Sequence, residues 1–182
     1  KIVLFMVPSL ALMSQVVRDW KNDTNIDLLA FSACSDSKVG NKKNIEDEFE
    51  FELSDLQFPA TTNPEKLSNQ LKESDENKMI VVFSTYHSID VISKAQFKYG
   101  LRGFDLIICD EAHRTTGATL VDKDESNFVK IHDNNFVKGD KRLYMTATPR
   151  VYGKNAKKKE IEGHVNLASM DDESIFGPTF IH

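Results

Sequence analysis

In the stretch LIICDEAHRTTG, Leu106 to Gly117, four apolar residues run into two adjacent carboxylates, a small residue, a histidine and an arginine. A strand that ends this way holds its last side chains rigidly and partly exposed. Side chains alternate across a strand, so Asp110 and Glu111 point in different directions. One can face a cation while its neighbour faces a water. Metal-assisted phosphoryl transfer needs that division of labour. Mg²⁺ is held through one or two carboxylates and the substrate's phosphates, and a second group orients or deprotonates the attacking water. The same residues admit a structural reading, in which the two acids cap a following helix, because carboxylates favour helix N-termini.

These residues need a scaffold, and the hydropathy pattern supplies one. Apolar runs recur at 2–7 (IVLFMV), 26–31 (IDLLAF), 79–83 (MIVVF), 104–109 (FDLIIC) and 142–147 (RLYMTA). None alternates cleanly, so each reads as a strand buried on both faces of a parallel sheet. Helical segments lie between them. SLALMSQVVRDW carries Leu10, Met13, Val17 and Trp20 on one stripe. NPEKLSNQL has Asn63 as N-cap and Pro64 at the first helical position. SIDVISKAQFKYG ends in Gly100, a C-cap residue. Strand and helix in alternation make an α/β layer fold. Parallel α/β sheets bind ligands at the carboxyl ends of their strands. Here all five strand ends carry hydroxyls, carboxylates or histidines: PSLALMSQ, SACSDSK, STYHS, DEAHRTTG and TATPR.

Two stretches break the alternation. Residues 34–61 are polar and include the acidic block EDEFEFE at 46–52, a surface excursion or a short edge strand. Residues 114–141 form a long polar connection. A connection of that length is functional, mobile or hides a helix.

Bulk properties limit the function classes. The chain has 182 residues, 40% hydrophobic and 28% charged, which suits one globular domain with a real core. Its net charge of −5 gives no overall basic footprint for gripping nucleic acid. Cys109 lies in an apolar run and Cys34 in a polar loop, and these 2 cysteines make neither a disulfide framework nor a zinc site. That suits a reduced, cytoplasmic chain. KIVLFMVPSLALM imitates a signal peptide, but Pro8 interrupts it and it is too short to span a bilayer. No membrane association is expected.

The motifs, taken in order, resemble those of superfamily 2 helicases and translocases of the DEAH type. DEAH at 110–113 stands at one strand end and TATP at 146–149 at the next, with VPSLALMSQ (7–15) and FSTYHSI (83–89) upstream as nucleic-acid contact motifs. PSLALMSQ, DEAHRTTG and MTATPRVYG look most like the DNA motors of restriction-modification enzymes, especially the single-chain type with fused nuclease and methyltransferase domains. The resemblance implies a three-layer RecA-like, P-loop NTPase sheet as the first of two motor domains, with 150–182 leading toward the second. It implies that Asp110 binds Mg²⁺ through water and that Glu111 positions the attacking water. It implies that His113 couples the nucleotide site to the motor, while Thr146 and Thr148 link the two domains' states. Pro8, Ser9, Ser84, Thr85 and Tyr86 would line the DNA track. Two alternatives remain open: Tyr86 as plain core packing, and the run Arg150, Lys154, Lys157, Lys158 and Lys159 as a solvated face instead of a DNA contact.

The phosphate loop G-x-x-x-x-G-K-[ST] does not occur among the 8 glycines; Gly153 precedes Lys154, but Asn155 follows. In the family that loop precedes the first contact motif. The expectation is therefore a truncated RecA-like domain over 1–182, lacking that loop's strand and helix and unable by itself to hydrolyse ATP. A sheet edge left open by a missing strand would invite self-association. An RNA helicase domain is disfavoured by PSLALMSQ and TATP. A non-catalytic scaffold is disfavoured by the intact acids.

Overall fold

The computed structural model describes residues 1–23, 25, 28–34, 60–75, 77–120, 126–155, 158, 162 and 165–179. The acidic block at 46–52 lies outside them, as do Lys157 and Lys159.

The five predicted strands form one parallel sheet. They are β1 (Ile2–Val7), β2 (Leu28–Ala33), β4 (Met79–Thr85), β5 (Leu106–Cys109) and β7 (Arg142–Tyr144), joined by a two-residue edge strand β3 (Ala60–Thr61). The order across the sheet is β3-β2-β4-β1-β5-β7, with every pairing parallel. β1 is central because IVLFMV is buried at all six positions. Its alternate side chains feed two cores. Ile2, Leu4 and Met6 pack with Leu67, Leu71, Ile89 and Ile92 on one face; Val3, Phe5 and Val7 pack with Met13 and Val17 on the other. The first face is covered by α2 (Pro64–Lys72) and α3 (Ile89–Phe97), the second by α1 (Leu10–Asp23). These three layers are the expected RecA-like arrangement. Each buried Leu, Ile, Val, Phe or Met side chain is worth roughly 1.5–3 kcal/mol relative to exposure.

Several boundaries differ from the sequence reading. β2, whose described residues begin at Leu28, runs past the apolar run to Ala33, because Ser32 and Ala33 pair with Ala60 and Thr61. β5 starts at Leu106, with Phe104 making a separate bridge to Gly139. That bridge needs glycine: a Cβ at 139 would sit 2.5 Å from Ile107 Cδ1. β7 stops at Tyr144, so Met145 and the TATP residues leave the sheet. Cys34 is fully buried and does not sit in an exposed loop. Burial pushes its thiol up to about 11 and that of Cys109 up to about 12.

The described residues of the long connection 114–141 form a strand and two 3-10 turns. β6 (Gly117–Leu120) pairs antiparallel with β8 (Val165–Ala168) in a separate ribbon. A 3-10 turn over Val129–His132 then brings Ile131 into the core. Arg142 holds this turn from β7, its Nε donating to the Ile131 carbonyl at 2.9 Å. His132 packs beside it, among Tyr144, Phe176 and the Thr115 carbonyl. Beyond β8, Asp172 caps the short helix α4 (Glu173–Phe176). No helix among the described residues is long and apolar enough to cross a membrane.

Two outcomes follow for stability. The Asn63 side chain accepts from the amides of Glu65 and Lys66 at 2.9 and 3.1 Å, so Asn63→Ala should cost about 1 kcal/mol in urea unfolding. Burial lowers the His132 pKa from 6.5 to about 4, against the bond to the Thr115 carbonyl, which raises it, while nearby Arg142 lowers it further. Between those values the unfolded chain binds the extra proton and the folded one does not. His132 therefore leaves stability intact above pH 6.5 and removes up to about 3 kcal/mol as pH falls toward 4. The pH dependence of unfolding in His132→Gln should be flatter across that window by this amount.

Candidate functional site

The parallel sheet brings all its carboxyl ends to one edge. Val7 lies level with Thr85, Met6 with Cys109, and Cys109 with Tyr144. The acidic turn sits in the middle of this edge and is stapled on both sides. The Asp110 amide donates to the Met6 carbonyl at 2.9 Å. The Ala112 amide donates to the Met145 carbonyl at 2.8 Å, and the Met145 amide to the Cys109 carbonyl at 2.9 Å. Tyr86 reaches across from the end of β4, its hydroxyl donating to the Asp110 carbonyl at 2.8 Å.

Between the staples the chain reverses at one residue. Glu111 has φ 49° and ψ 46°, the only left-handed non-glycine among the described residues. Such a backbone costs roughly 1–3 kcal/mol and persists where surrounding bonds over-determine it. A 3-10 turn over Ala112–Thr115 follows. The acids do not cap this turn: Glu111, in the cap position, accepts no amide of the turn through its side chain. Asp110 Oδ1 accepts the Glu111 amide at 2.9 Å, leaving its other oxygen available. The strict alternation of a strand does not separate the two acids; the backbone reversal does.

His113 joins the acids to the TATP segment. Its Nδ1 stands 2.9 Å from Thr146 Oγ1, 3.2 Å from Glu111 Oε2 and 3.3 Å from Thr148 Oγ1. The hydrogen bonds of Nδ1 run to the two threonine hydroxyls, and the Glu111 carboxylate lies within ion-pair distance of the same nitrogen. Thr146 Oγ1 also accepts the Thr148 amide at 3.1 Å. Asp110, Glu111, His113, Thr146 and Thr148, separate in sequence, thus form one half-exposed cluster.

The predicted track residues are placed differently. Pro8, Ser84, Thr85 and Tyr86 are buried. The Ser84 hydroxyl donates to the Thr85 carbonyl at 3.2 Å, and Thr85 Oγ1 lies 2.9 Å from Ser88 Oγ. Tyr86 is core, stacked on Phe128 at 4.9 Å, and burial raises its pKa far above the ordinary tyrosine value. Ser9 is half-buried, its Oγ accepting the Leu12 amide at 3.3 Å as a cap on α1. The side chains of this segment are therefore spent inside the domain. Its neighbours His87 and Arg114 are exposed, with Arg114 5.4 Å from the Phe128 ring centre. Arg150, Lys154 and Lys158 are exposed, as a solvated face requires.

Sequence reasoning passed over His132, Thr115 and Tyr144. His132 Nδ1 lies 2.8 Å from the Tyr144 hydroxyl and Nε2 lies 3.0 Å from the Thr115 carbonyl. A lone histidine in the polar run FVKIHDNNF gives no signal for partners 12 and 17 residues away.

Comparison with known proteins agrees with this geometry. Residues 1–151 match the family described as ResIII, type III restriction enzyme, res subunit. The probable helicase A859L of African swine fever virus (isolate Tick/Malawi/Lil 20-1/1983) is 30% identical over 148 residues, 81% of this chain and 14% of that protein. A nuclease-deletion mutant of the Type ISP restriction-modification enzyme LlaGI, in complex with a DNA substrate mimic, is 40% identical, with a TM-score of 0.66. It covers 97% of this chain, which spans 14% of it. The ATP-dependent Type ISP restriction-modification enzyme LlaBIII bound to DNA is 41% identical, with a TM-score of 0.69, over 97% of this chain and 11% of that one. The chain thus spans about a seventh or less of these relatives. The acid-tipped parallel sheet and the matched family agree: the chain belongs to the ResIII family of restriction-enzyme res subunits and is a RecA-like helicase motor domain of superfamily 2.

Proposed function

We propose that this domain is the acid-bearing part of an ATP-driven DNA translocase within a restriction-modification enzyme. On this reading residues 1–182 belong to the first of two motor domains, and 150–182 lead toward the second. The observation that carries it is the contact of Glu111, His113 and Thr146, which joins the acid turn of β5 to the end of β7. That geometry suits a site whose state must be felt by the next strand. Similarity to LlaGI and LlaBIII, both held on DNA, favours DNA over RNA as the track; fused nuclease and methyltransferase domains belong to the same reading.

The residues fit Mg²⁺ with a nucleotide. Asp110 is half-buried with one carboxylate oxygen held by the Glu111 amide and the other free. Among the described residues no group of three His, Cys, Asp or Glu could enclose a metal. One carboxylate completed by phosphates and waters is the usual Mg²⁺ arrangement. Bound there with ATP, the ion would supply charge neutralisation on the phosphate oxygens.

Glu111 acts on the water. Its Oε2 lies 3.2 Å from His113 Nδ1, which leaves the other carboxylate oxygen to accept the water's proton. His113 fixes that carboxylate's orientation and passes its position to Thr146 and Thr148. Hydroxyls buried beneath Pro8–Ser9 and Ser84–Tyr86 hold those strand ends rigid, so DNA contact there falls to backbone amides and exposed neighbours.

ATPase activity of the full-length protein, with duplex DNA, single-stranded DNA and RNA, tests this. Duplex DNA should stimulate most, and Glu111→Gln should lower kcat by about 10²–10⁴-fold. Undiminished hydrolysis in that variant, or stimulation by RNA alone, would sink the reading. The 182-residue chain by itself, without a G-x-x-x-x-G-K-[ST] loop, should neither hydrolyse ATP nor bind it saturably in the micromolar range. Calorimetry showing micromolar ATP binding would contradict this.

A further inference from the structure

Two histidines bridge the acid turn to β7, and only the front one, His113, touches an acid. We propose that the rear one, His132, is a positioning residue for nucleotide hydrolysis, fixing the acid turn against the strand that presents Thr146. This rests on the hydrolytic role of Glu111 given above.

The hydrogen bonds of His132 have one consistent polarity. The Thr115 carbonyl, 3.0 Å from Nε2, can only accept, so Nε2 carries the proton. Nδ1 is then an acceptor, and the Tyr144 hydroxyl 2.8 Å away donates to it. A single neutral tautomer satisfies both partners. Neither Lys nor Phe could do so.

Each partner is rigidly related to the acids. Thr115 is fully buried and closes its own 3-10 turn, its hydroxyl donating to the Ala112 carbonyl at 2.8 Å. The same turn begins at Glu111, whose carbonyl accepts the Arg114 amide at 2.9 Å. Tyr144 is the last residue of β7, two residues before Thr146. A closed ring results: Glu111, His113, Thr146, Tyr144, His132, Thr115 and back through the turn to Glu111. Opening the ring at His132 removes the rear tie between the turn and β7, so that the Glu111 carboxylate can shift relative to Thr146. Shifts of about 1 Å in a reacting group cost on the order of 10²-fold in rate.

His132 is itself held. Arg142 Nε bonds the carbonyl of Ile131, and the ring of Phe176 from α4 stands edge-on 4.8 Å from the imidazole. The segment leaving the domain therefore rests on the residue that sets the turn.

The test is steady-state ATP hydrolysis by the full-length protein on duplex DNA. His132→Phe keeps the ring and removes both hydrogen bonds. It should lower kcat by about 10–100-fold with KM for ATP within about two-fold of wild type. His132→Gln, whose amide can donate where Nε2 does, should recover most of that loss. A folded His132→Phe protein with wild-type kcat, whatever its melting temperature, would overturn the inference and leave His132 a packing residue. Should His132→Phe not fold, Tyr144→Phe removes only the hydroxyl. It should lower kcat about 3–10-fold at unchanged KM, and an unaltered kcat there is equally fatal. Glu111→Gln assayed alongside separates the two readings. Retained hydrolysis in Glu111→Gln defeats the hydrolytic site itself; its collapse beside an unaffected His132→Phe defeats only the positioning role.

Discussion

The reversal of the chain at Glu111 is the constraint on which the rest depends. β5 must stop and turn back within one residue, because strands on both sides are already in register with it. Met6 takes the amide before the reversal and Met145 takes the amide after it. With both neighbours committed, the backbone between them has little choice, and Glu111 occupies the left-handed region despite its Cβ. Glycine would relieve that strain but would carry no carboxylate. On the proposed function, the strain sits at the residue whose carboxylate acts on the water, in keeping with the clustering of strained backbone at functional sites.

From that point the sheet edge divides into two regions of different character. Beneath the ends of β1 and β4 the hydroxyls of Ser84, Thr85 and Tyr86 face inward and bond to one another and to backbone. Around the ends of β5 and β7 the acids, His113 and the two threonines remain half-exposed. The first region is stiff and dry; the second is open to water and ligand. An overall charge of −5 offers DNA no attractive field at long range. On the proposed function, recognition of a phosphate backbone would fall to a few local donors, held in place by the buried, hydrogen-bonded hydroxyls below them.

Much of this was legible in the sequence, and the reasons are specific. The run IVLFMV read as a strand buried on both faces because every residue in it is apolar, and Asn63-Pro64 announced a helix start through chemistry local to that turn. DEAH and TATP were legible as a pair because each follows an apolar run. The apolar runs ended β2 too early and overextended β7, since pairing with Ala60–Thr61 and the departure of Met145 depend on neighbours far along the chain. Tyr86 shows the sharper limit. A tyrosine after a strand reads equally as a surface contact or as core, and only the stacking of Phe128, 42 residues later, decides for core. Cys34 and His132 failed in the same way: their burial comes from segments that close over them, and nothing in their own neighbourhood announces it.

The pairing of β6 with β8 bears on where this folded unit ends. The family match covers residues 1–151, yet the strand that completes the ribbon lies at Val165–Ala168 and the ring that stands against His132 at Phe176. A cut at the border of that match would part β6 from β8 and leave the edge of β6 bare. The motifs of a family and the hydrogen-bonded structure that carries them therefore occupy different lengths of chain here.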